Sequence, residues 1–561
     1  AQERIWLDEQ IRFGSKEEQN PYAIYHIPIT FQIINGHHIS IRRLRHAFNL
    51  LIRKHSILRT SYKYDSTEEC LKQCIKESNI SCDNESDYYS FEISTISSRE
   101  QLESILFDED TNRTLFNLDL GIVFRCHLIK YQHNDTNDDL LSDGDMIICN
   151  FHHIAFDGSS VELFLNDLQL AYKHNQLEID DDSLQYIDYS LHERETMDMN
   201  EAKTYWKQLL QGYDIGKQLS LPYDRQTLHQ HRTSHGSSVT FQLDRHQVDR
   251  MLTYAQESRV SMFQLGLTIY YVFLFKLTNG EKDLCIGTMS ANRYRQQLQK
   301  MIGMFVNTLP YRFQLDPRQT FHDTLLQVQH LCLQMLEYSY LPYQQVIQLH
   351  RGVREQQRQS SLPFIQTTFQ FESLNNLHSN SDDIFCQLRE EEDILTHETR
   401  VSKFDLSLSM NYNVRKKTMS CSFNYSCDLF ERTTVQTMCD RFQILLRQLF
   451  NSPSFNIDIQ PLYELSILLP EERELLQSIN KRSHVDFDPQ QMKCIHHKFV
   501  EQAVNHPQKI CVMLDEQSLT YGEVLHRVQY FASYLIRECN VQPGHIICQC
   551  VERSIEMVIG I

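Results

Sequence analysis

The chain is 561 residues long, too much for a single hydrophobic core, and implies about two to four domains. With 41% hydrophobic and 23% charged residues, and only 16 glycines, it is neither disordered throughout nor a glycine-rich low-complexity chain. A formal charge of −19 argues against nucleic acid or an anionic membrane as the main partner and reads as solubility.

Starting at Ala1 without Met or a signal peptide, the sequence is expected to be a piece of something longer. Residues 1–175 read as one mixed α/β region. Tyr25–Ile33 is rich in β-branched and aromatic residues and predicts a strand, and Ser40–His55 carries Ile41, Leu44, Phe48 and Leu51 at helical spacing. Residues 65–90 are crowded with Glu, Asp, Ser and Asn and are expected as a surface excursion. Phe124–Tyr131 and Met146–His152 predict two further strands, separated by an acidic loop over Gln132–Asp145.

A second mixed region spans 176–455. Its helix at 261–279 is apolar on several faces, ends at Gly280 and is expected to be buried. The apolar run Ile269–Leu277 inside it is too short for the ~20 residues of a membrane span. Residues 374–383 are a polar loop, and Lys403–Met410 with Thr418–Tyr425 predict a hairpin. Residues 456–489, within a stretch bounded by Pro453 and Pro489, are expected as a linker, with a further segment over 490–561. The sixteen cysteines have neither zinc-site spacing nor disulfide-scaffold density, and read as reduced thiols of a cytoplasmic protein.

Dinucleotide, P-loop, nucleophile-elbow and H-E-x-x-H signatures are all absent from the sequence. Three adjacent histidine pairs occur, His37–His38, His152–His153 and His496–His497. Neighbours on a strand face opposite ways, so as metal sites they read as poor, and no metal is expected. Only the middle pair has further chemistry beside it. In Ile147–Ser160 a strand delivers His152 and His153, a short turn reaches Asp157-Gly158, and a helix follows. Ser159 with Glu162 reads as a capping box, and Gly158 as a residue allowing a backbone shape that a Cβ would resist. On these residues alone the loop is either a structural histidine pair with a capping Asp or a device for aiming a catalytic His.

The motif His152-His153-x-x-x-Asp157-Gly158 resembles the HHxxxDG element of nonribosomal peptide synthetase condensation domains, in the chloramphenicol-acetyltransferase-like superfamily. Other elements follow in the family's order. Ala1–Trp6 is similar to its opening AQxRxW. Lys54–Thr60 is similar to RHExLRT, with Lys54 for Arg and Ser56 for Glu. Tyr186–Tyr189 resembles YxDY, although His192 stands where Trp is frequent. Ile302–Thr308 is similar to IGxFVNT, Leu341–Tyr343 falls at a VPF-like element, and Ser360, Pro363, Phe364 and Gln366 form an eroded last motif. Beyond residue 490, His506-Pro507, Leu519–Val524, Pro543-Gly544 and Glu552–Glu556 resemble the start of an adenylation domain. That domain's ATP-binding motifs would lie past Ile561, so this chain is not expected to activate amino acids.

The resemblance implies two chloramphenicol-acetyltransferase-like α/β lobes arranged in a V, with the site at their junction. It implies amide-bond formation: a carrier-bound acyl or peptidyl thioester is transferred to the amine of a carrier-bound aminoacyl acceptor. Both substrates would ride on phosphopantetheine arms of partner carrier domains. The chain itself is expected to bind no cofactor, and it lacks the carrier attachment motif because no Gly-Gly occurs. His153 is the implied catalytic residue, as general base or amine-positioning group, with His152 turned away and packed. Asp157 is implied to pair with Arg59 and brace the loop, Gly158 to keep a channel open, and Asn307 to support the site from the second lobe, or merely to stabilise a turn.

Alternatives are an epimerization domain of the same fold, a stand-alone acyltransferase and a noncatalytic carrier-docking platform. The adenylation-like tail speaks against the first two, and the intact His153, Asp157 and Gly158 against the third. A heterocyclization domain is excluded by His152, where that class carries Asp.

Overall fold

The computed structural model describes residues 2–7, 9, 23–33, 38–65, 67, 70–80, 85–132, 138–178, 183–225, 233–350, 364–374, 388–390, 401–451, 456–479, 494–542 and 544–560. The loop at 374–383 and most of 358–366 therefore lie outside the described residues. The chain divides into two compact units, Ala1–Leu469 and Pro470–Ile561.

Two sheets organise the first unit. The five-stranded sheet has the order Leu388–Glu390, His26–Ile33, Met146–His152, Phe124–Tyr131 and Ser90–Ile96. Its first four strands pair antiparallel and the last pair is parallel. The central strand Met146–His152 is buried at every position, which is why its first four residues are uninterrupted apolar sequence instead of an alternation. Both it and Phe124–Tyr131 occupy the expected bounds, and the first strand starts at His26, one residue later than expected. The expected helix forms over Ile41–Lys54, with the Ser40 hydroxyl accepting from the Arg43 amide at 3.3 Å. Its Ile41, Leu44, Phe48 and Leu51 are all buried, as the helical period requires.

The six-stranded sheet has the order Asn307–Gln314, Asp283–Ser290, Thr367–Leu374, Leu406–Asn413, Thr418–Ser426 and Gly236–Leu243. The expected hairpin is its Leu406–Asn413 and Thr418–Ser426 pair. Beneath the sheet lies the helix Met262–Leu277, capped by a Ser261–Gln264 capping box and buried on nearly every face. Among the described residues no single helix is long and apolar enough to cross a membrane, and no cysteine is in a disulfide.

Three expectations are corrected. The 65–90 stretch is not simply a surface excursion: Thr60–Asp65 and Cys70–Ile75 form a hairpin, and Ile80, Tyr88 and Tyr89 are buried. Its acidic character misled because the buried Glu85 carboxylate is taken up by Arg45 at 2.6 Å and by Asn49 at 2.6 Å. The lobes are also not contiguous in sequence. Strand Leu388–Glu390 joins the first sheet, and Leu298, Met301, Ile302, Met304 and Phe305 enter the first core. Finally, residues 456–469 are packed structure and not free linker, since Leu462 and Leu465 are buried in the second core.

The second unit contains helices Pro470–Ile479, Ile495–Asn505, Tyr521–Arg537 and Ile555–Gly560, with a hairpin of Ile510–Leu514 and Gln517–Thr520. A capping box of Thr520 and Glu523 starts its longest helix.

A buried polar network backs the central strand of the five-stranded sheet. Glu109, 1% exposed, accepts from Arg125 Nε and His127 Nδ1 at 2.8 Å each and from Asn150 Nδ2 at 3.0 Å. Burial by itself would raise the Glu109 carboxyl, but His127, Asn150 and Arg125 together hold it below its ordinary value. A carboxyl depressed in the folded state stabilises it above the unfolded pKa, and that contribution is lost as pH falls through the folded value. Glu109→Ala should therefore cost about 3–5 kcal/mol in urea denaturation at neutral pH, because Arg125 loses its buried partner. The gap from wild type should narrow as both are measured below about pH 4.

Candidate active site

Aromatic stacking shapes the histidine loop. Phe151 on the strand and Phe156 beyond the histidines stack at 3.9 Å with ring planes 8° apart, so the chain folds back on itself between them. Phe164, on the following helix Ser160–His174, meets Phe151 edge-on at 4.9 Å. The loop is held on a rigid apolar base.

The two histidines it presents have different surroundings. His153 is half-buried; its amide donates to Tyr25 O at 2.7 Å and its ring Nδ1 donates to Phe156 O at 2.8 Å. A carbonyl can only accept, so Nδ1 carries the proton and Nε2 is the basic nitrogen of the neutral ring. His152 is 3% exposed and has the opposite tautomer: Nδ1 accepts from the Ile154 amide at 3.2 Å and Nε2 donates to Glu9 Oε1 at 3.1 Å. It borders a cavity of about 260 Å³ with Trp6, Glu9, His26, Arg113 and Phe116 among its lining residues. Burial would raise the Glu9 carboxyl, but its polar neighbours, His152 first and then His26 and Arg113, bring it below its ordinary value. His26 is pulled down to about 4, first by burial and then by His152. His152 is packed, as expected, though against a polar cavity.

Asp157 is fully buried, and its partner is a correction. Its Oδ1 accepts from Arg293 Nη2 at 2.8 Å, from the Ser160 amide at 2.9 Å and from the Ser160 hydroxyl at 2.7 Å, while Oδ2 accepts from the Phe305 amide at 3.0 Å. Arg293 also donates to Leu298 O and Met301 O at 2.6 Å and lies over the Phe305 ring at 4.2 Å. Arg59, the expected partner, donates instead to Ile52 O, Arg53 O and Lys76 O, closing the carbonyl end of helix Ile41–Lys54. Arg293 was missed because it lies in a polar run, Arg293–Lys300, with no periodicity or motif to mark it.

Two readings of the adjacent turn also change. Ser159 makes no cap bond; the Asp157 carboxylate takes the Ser160 amide in its place. Gly158 has no left-handed φ, and a Cβ there would meet nothing within 4 Å, so its backbone does not demand glycine. It lies in an exposed turn.

The downstream elements converge on this loop. Tyr186 donates to Met304 O at 2.7 Å, and its ring covers Gly303, where a Cβ would stand 2.1 Å from Tyr186 Cδ2. Gly303 N in turn donates to the Ser160 hydroxyl at 3.1 Å. Ser56, standing where the family pattern has Glu, donates to Gln185 Oε1 through its amide at 3.1 Å. Asn307 is a turn clamp: its Nδ2 donates to Ser339 O and Leu341 O, and its Oδ1 accepts from the Tyr343 amide. It joins the Ile302–Thr308 element to Leu341–Tyr343.

The two sheets have the chloramphenicol-acetyltransferase-like fold of solved condensation domains. The condensation domain family matches residues 1–477 and the AMP-binding enzyme family matches residues 499–561. Bacitracin synthase 1 of Bacillus licheniformis is 28% identical over 570 residues, covering 100% of this chain and 10% of its own length. The X-domain from teicoplanin biosynthesis has a TM-score of 0.66 at 21% identity, covering 83% of this chain and 96% of its own. A four-domain nonribosomal peptide synthetase bound to AMP and glycine has a TM-score of 0.64 at 18% identity, covering 96% of this chain and 38% of its own. The chain belongs to the condensation-domain family of nonribosomal peptide synthetases, and its residues 499–561 match the AMP-binding enzyme family. It spans only about a tenth of the length of curated relatives such as bacitracin synthase 1.

The Asp157 partner can be tested directly. Asp157→Ala should cost about 3–5 kcal/mol, because it leaves Arg293 buried without its counter-charge. In double-mutant cycles read by urea denaturation, Asp157 and Arg293 should couple by about 1 kcal/mol or more, and Asp157 with Arg59 by less than about 0.5 kcal/mol.

Proposed function

We propose that this condensation domain forms an amide bond by passing an acyl or peptidyl group from a carrier-bound thioester to the amine of a carrier-bound aminoacyl acceptor. One observation carries the proposal: the backbone bond from His153 Nδ1 to Phe156 O leaves Nε2 as the basic nitrogen of a half-buried imidazole, on a loop braced through Asp157 by Arg293 and the Phe305 amide. A thioester is already activated and an α-amino group has a pKa of about 8, so the chemistry needs proton management and positioning more than a covalent intermediate. Holding both arms together supplies several kcal/mol through proximity, about 7 or more in well-oriented cases.

In this reading the amine approaches His153 Nε2, which accepts its proton as the C–N bond forms or orients the amine and stabilises its developing charge. The acyl carbon leaves the donor thiolate, which takes up a proton. Asp157 touches no substrate and acts through loop position. The partners are donor and acceptor carrier domains with phosphopantetheine arms, together with the adenylation domain of the same parent chain. Residues 1–175 and 176–455 provide the two lobes, with 298–305 and 388–390 crossing between them.

A single-turnover assay tests this with the carriers of the parent chain, a labelled donor acyl group and an aminoacyl acceptor. Wild type should move label to the acceptor, and His153→Ala should fold normally and lose at least tenfold in rate. Equal rates would remove His153 from the chemistry. Carrier binding without transfer by any loaded pair would favour a docking platform, and racemisation of the acyl α-carbon an epimerization domain. Gly158→Leu should remain within about 0.5 kcal/mol of wild-type stability, as expected of an exposed position, yet slow transfer at least tenfold by filling the space beside His153.

A further inference from the structure

The three histidine pairs separate once their backbone is known. His152–His153 belongs to the loop described above, and His37 lies outside the described residues. The third pair occupies the first turn of the helix Ile495–Asn505. Opposite faces are a property of strands; adjacent side chains on a helix differ by only about 100° and can converge. The His496 and His497 rings have centroids 4.2 Å apart. Cys494, which immediately precedes the helix, completes the group: its Sγ and one nitrogen of each ring all lie within 4.8 Å of one another. All three residues are exposed, and the Cys494 thiol is free.

We propose that Cys494, His496 and His497 form a three-ligand site for a borderline transition-metal dication, zinc foremost. One thiolate and two neutral imidazoles suit zinc, cobalt or nickel, whereas magnesium and calcium require oxygen ligands. Zinc bonds of about 2.3 Å to sulfur and about 2.0 Å to nitrogen put tetrahedral ligand atoms roughly 3.5 Å apart. The present spread closes by side-chain rotation, which exposed residues make without disturbing a core. On binding, the Cys494 S–H bond breaks, a metal–sulfur bond forms and the proton leaves to solvent. Three protein ligands leave the fourth position to water, which makes the site open and exchangeable. The ion clips the residue before the helix to its first turn and stabilises the helix start. The site is independent of the condensation chemistry.

The test uses the full chain without a histidine tag, stripped of metal and titrated with cobalt, then with zinc. One cobalt per chain should produce a near-ultraviolet thiolate-to-cobalt charge-transfer band that zinc abolishes by displacement. Cys494→Ser should remove the band, and His497→Ala should weaken cobalt binding at least tenfold. The double variant Cys548→Ser/Cys550→Ser removes the other closely spaced exposed thiols and should retain the band. Metal-free melting curves of the variants should match the metal-free parent, whereas zinc should raise the parent's Tm and leave that of Cys494→Ser unchanged. No band in the wild-type chain, a band that survives Cys494→Ser, or a loss below tenfold in His497→Ala each overturns the proposal.

Discussion

A fully buried carboxylate, Asp157, organises the histidine site. Such a charge persists only where its lone pairs are filled, and here four donors from three parts of the chain fill them: Arg293, the Ser160 amide and hydroxyl, and the Phe305 amide. Each donor fixes something different. Ser160 starts the helix after the loop, Phe305 anchors the segment crossing from the second region, and Arg293 gathers the carbonyls of Leu298 and Met301 around the same charge. Loop direction, helix start and contact between the lobes therefore depend on one ionised group.

The same economy appears in the two histidines. They are neighbours in sequence and share a side-chain type, yet their protons sit on different nitrogens because different groups meet them. Phe156 O accepts from Nδ1 of His153, whereas the Ile154 amide donates to Nδ1 of His152 and sends the His152 proton toward Glu9. His152 is thereby committed to a hydrogen bond with Glu9 in the wall of the N-terminal cavity. The ring of His153 retains the basic nitrogen that the proposed chemistry requires. The Phe151–Phe156 stack keeps both orientations rigid at the level of the backbone.

The crossing segments explain why motifs far apart in sequence belong to one site. Tyr186 needs Gly303 because its ring occupies the volume a Cβ would take, and Asn307 joins its own strand end to the Ser339–Tyr343 turn. The helix start at Cys494 shows the converse: three donors came together through local helix geometry alone, and a strand-based reading of adjacent histidines overlooked them.

Periodicity was sufficient for the central strands, for the helix at Ile41–Lys54, for the buried helix at Met262–Leu277 and for the Leu406–Ser426 hairpin. These depend on neighbours within a few residues, where side-chain spacing and burial are directly coupled. The histidine loop was legible too, through the motif that carries it. What local pattern could not supply was the identity of distant partners. Asp157 was expected to pair with Arg59, and only folding brought Arg293, 136 residues away, to the carboxylate while Arg59 closed a helix end. The cap moved from Ser159 to Asp157, the polar 65–90 stretch acquired a buried Glu85, and several segments of the expected second lobe crossed into the first for the same reason. A buried charge or an apolar edge is satisfied by whatever the packed chain places beside it, and that choice belongs to the tertiary structure.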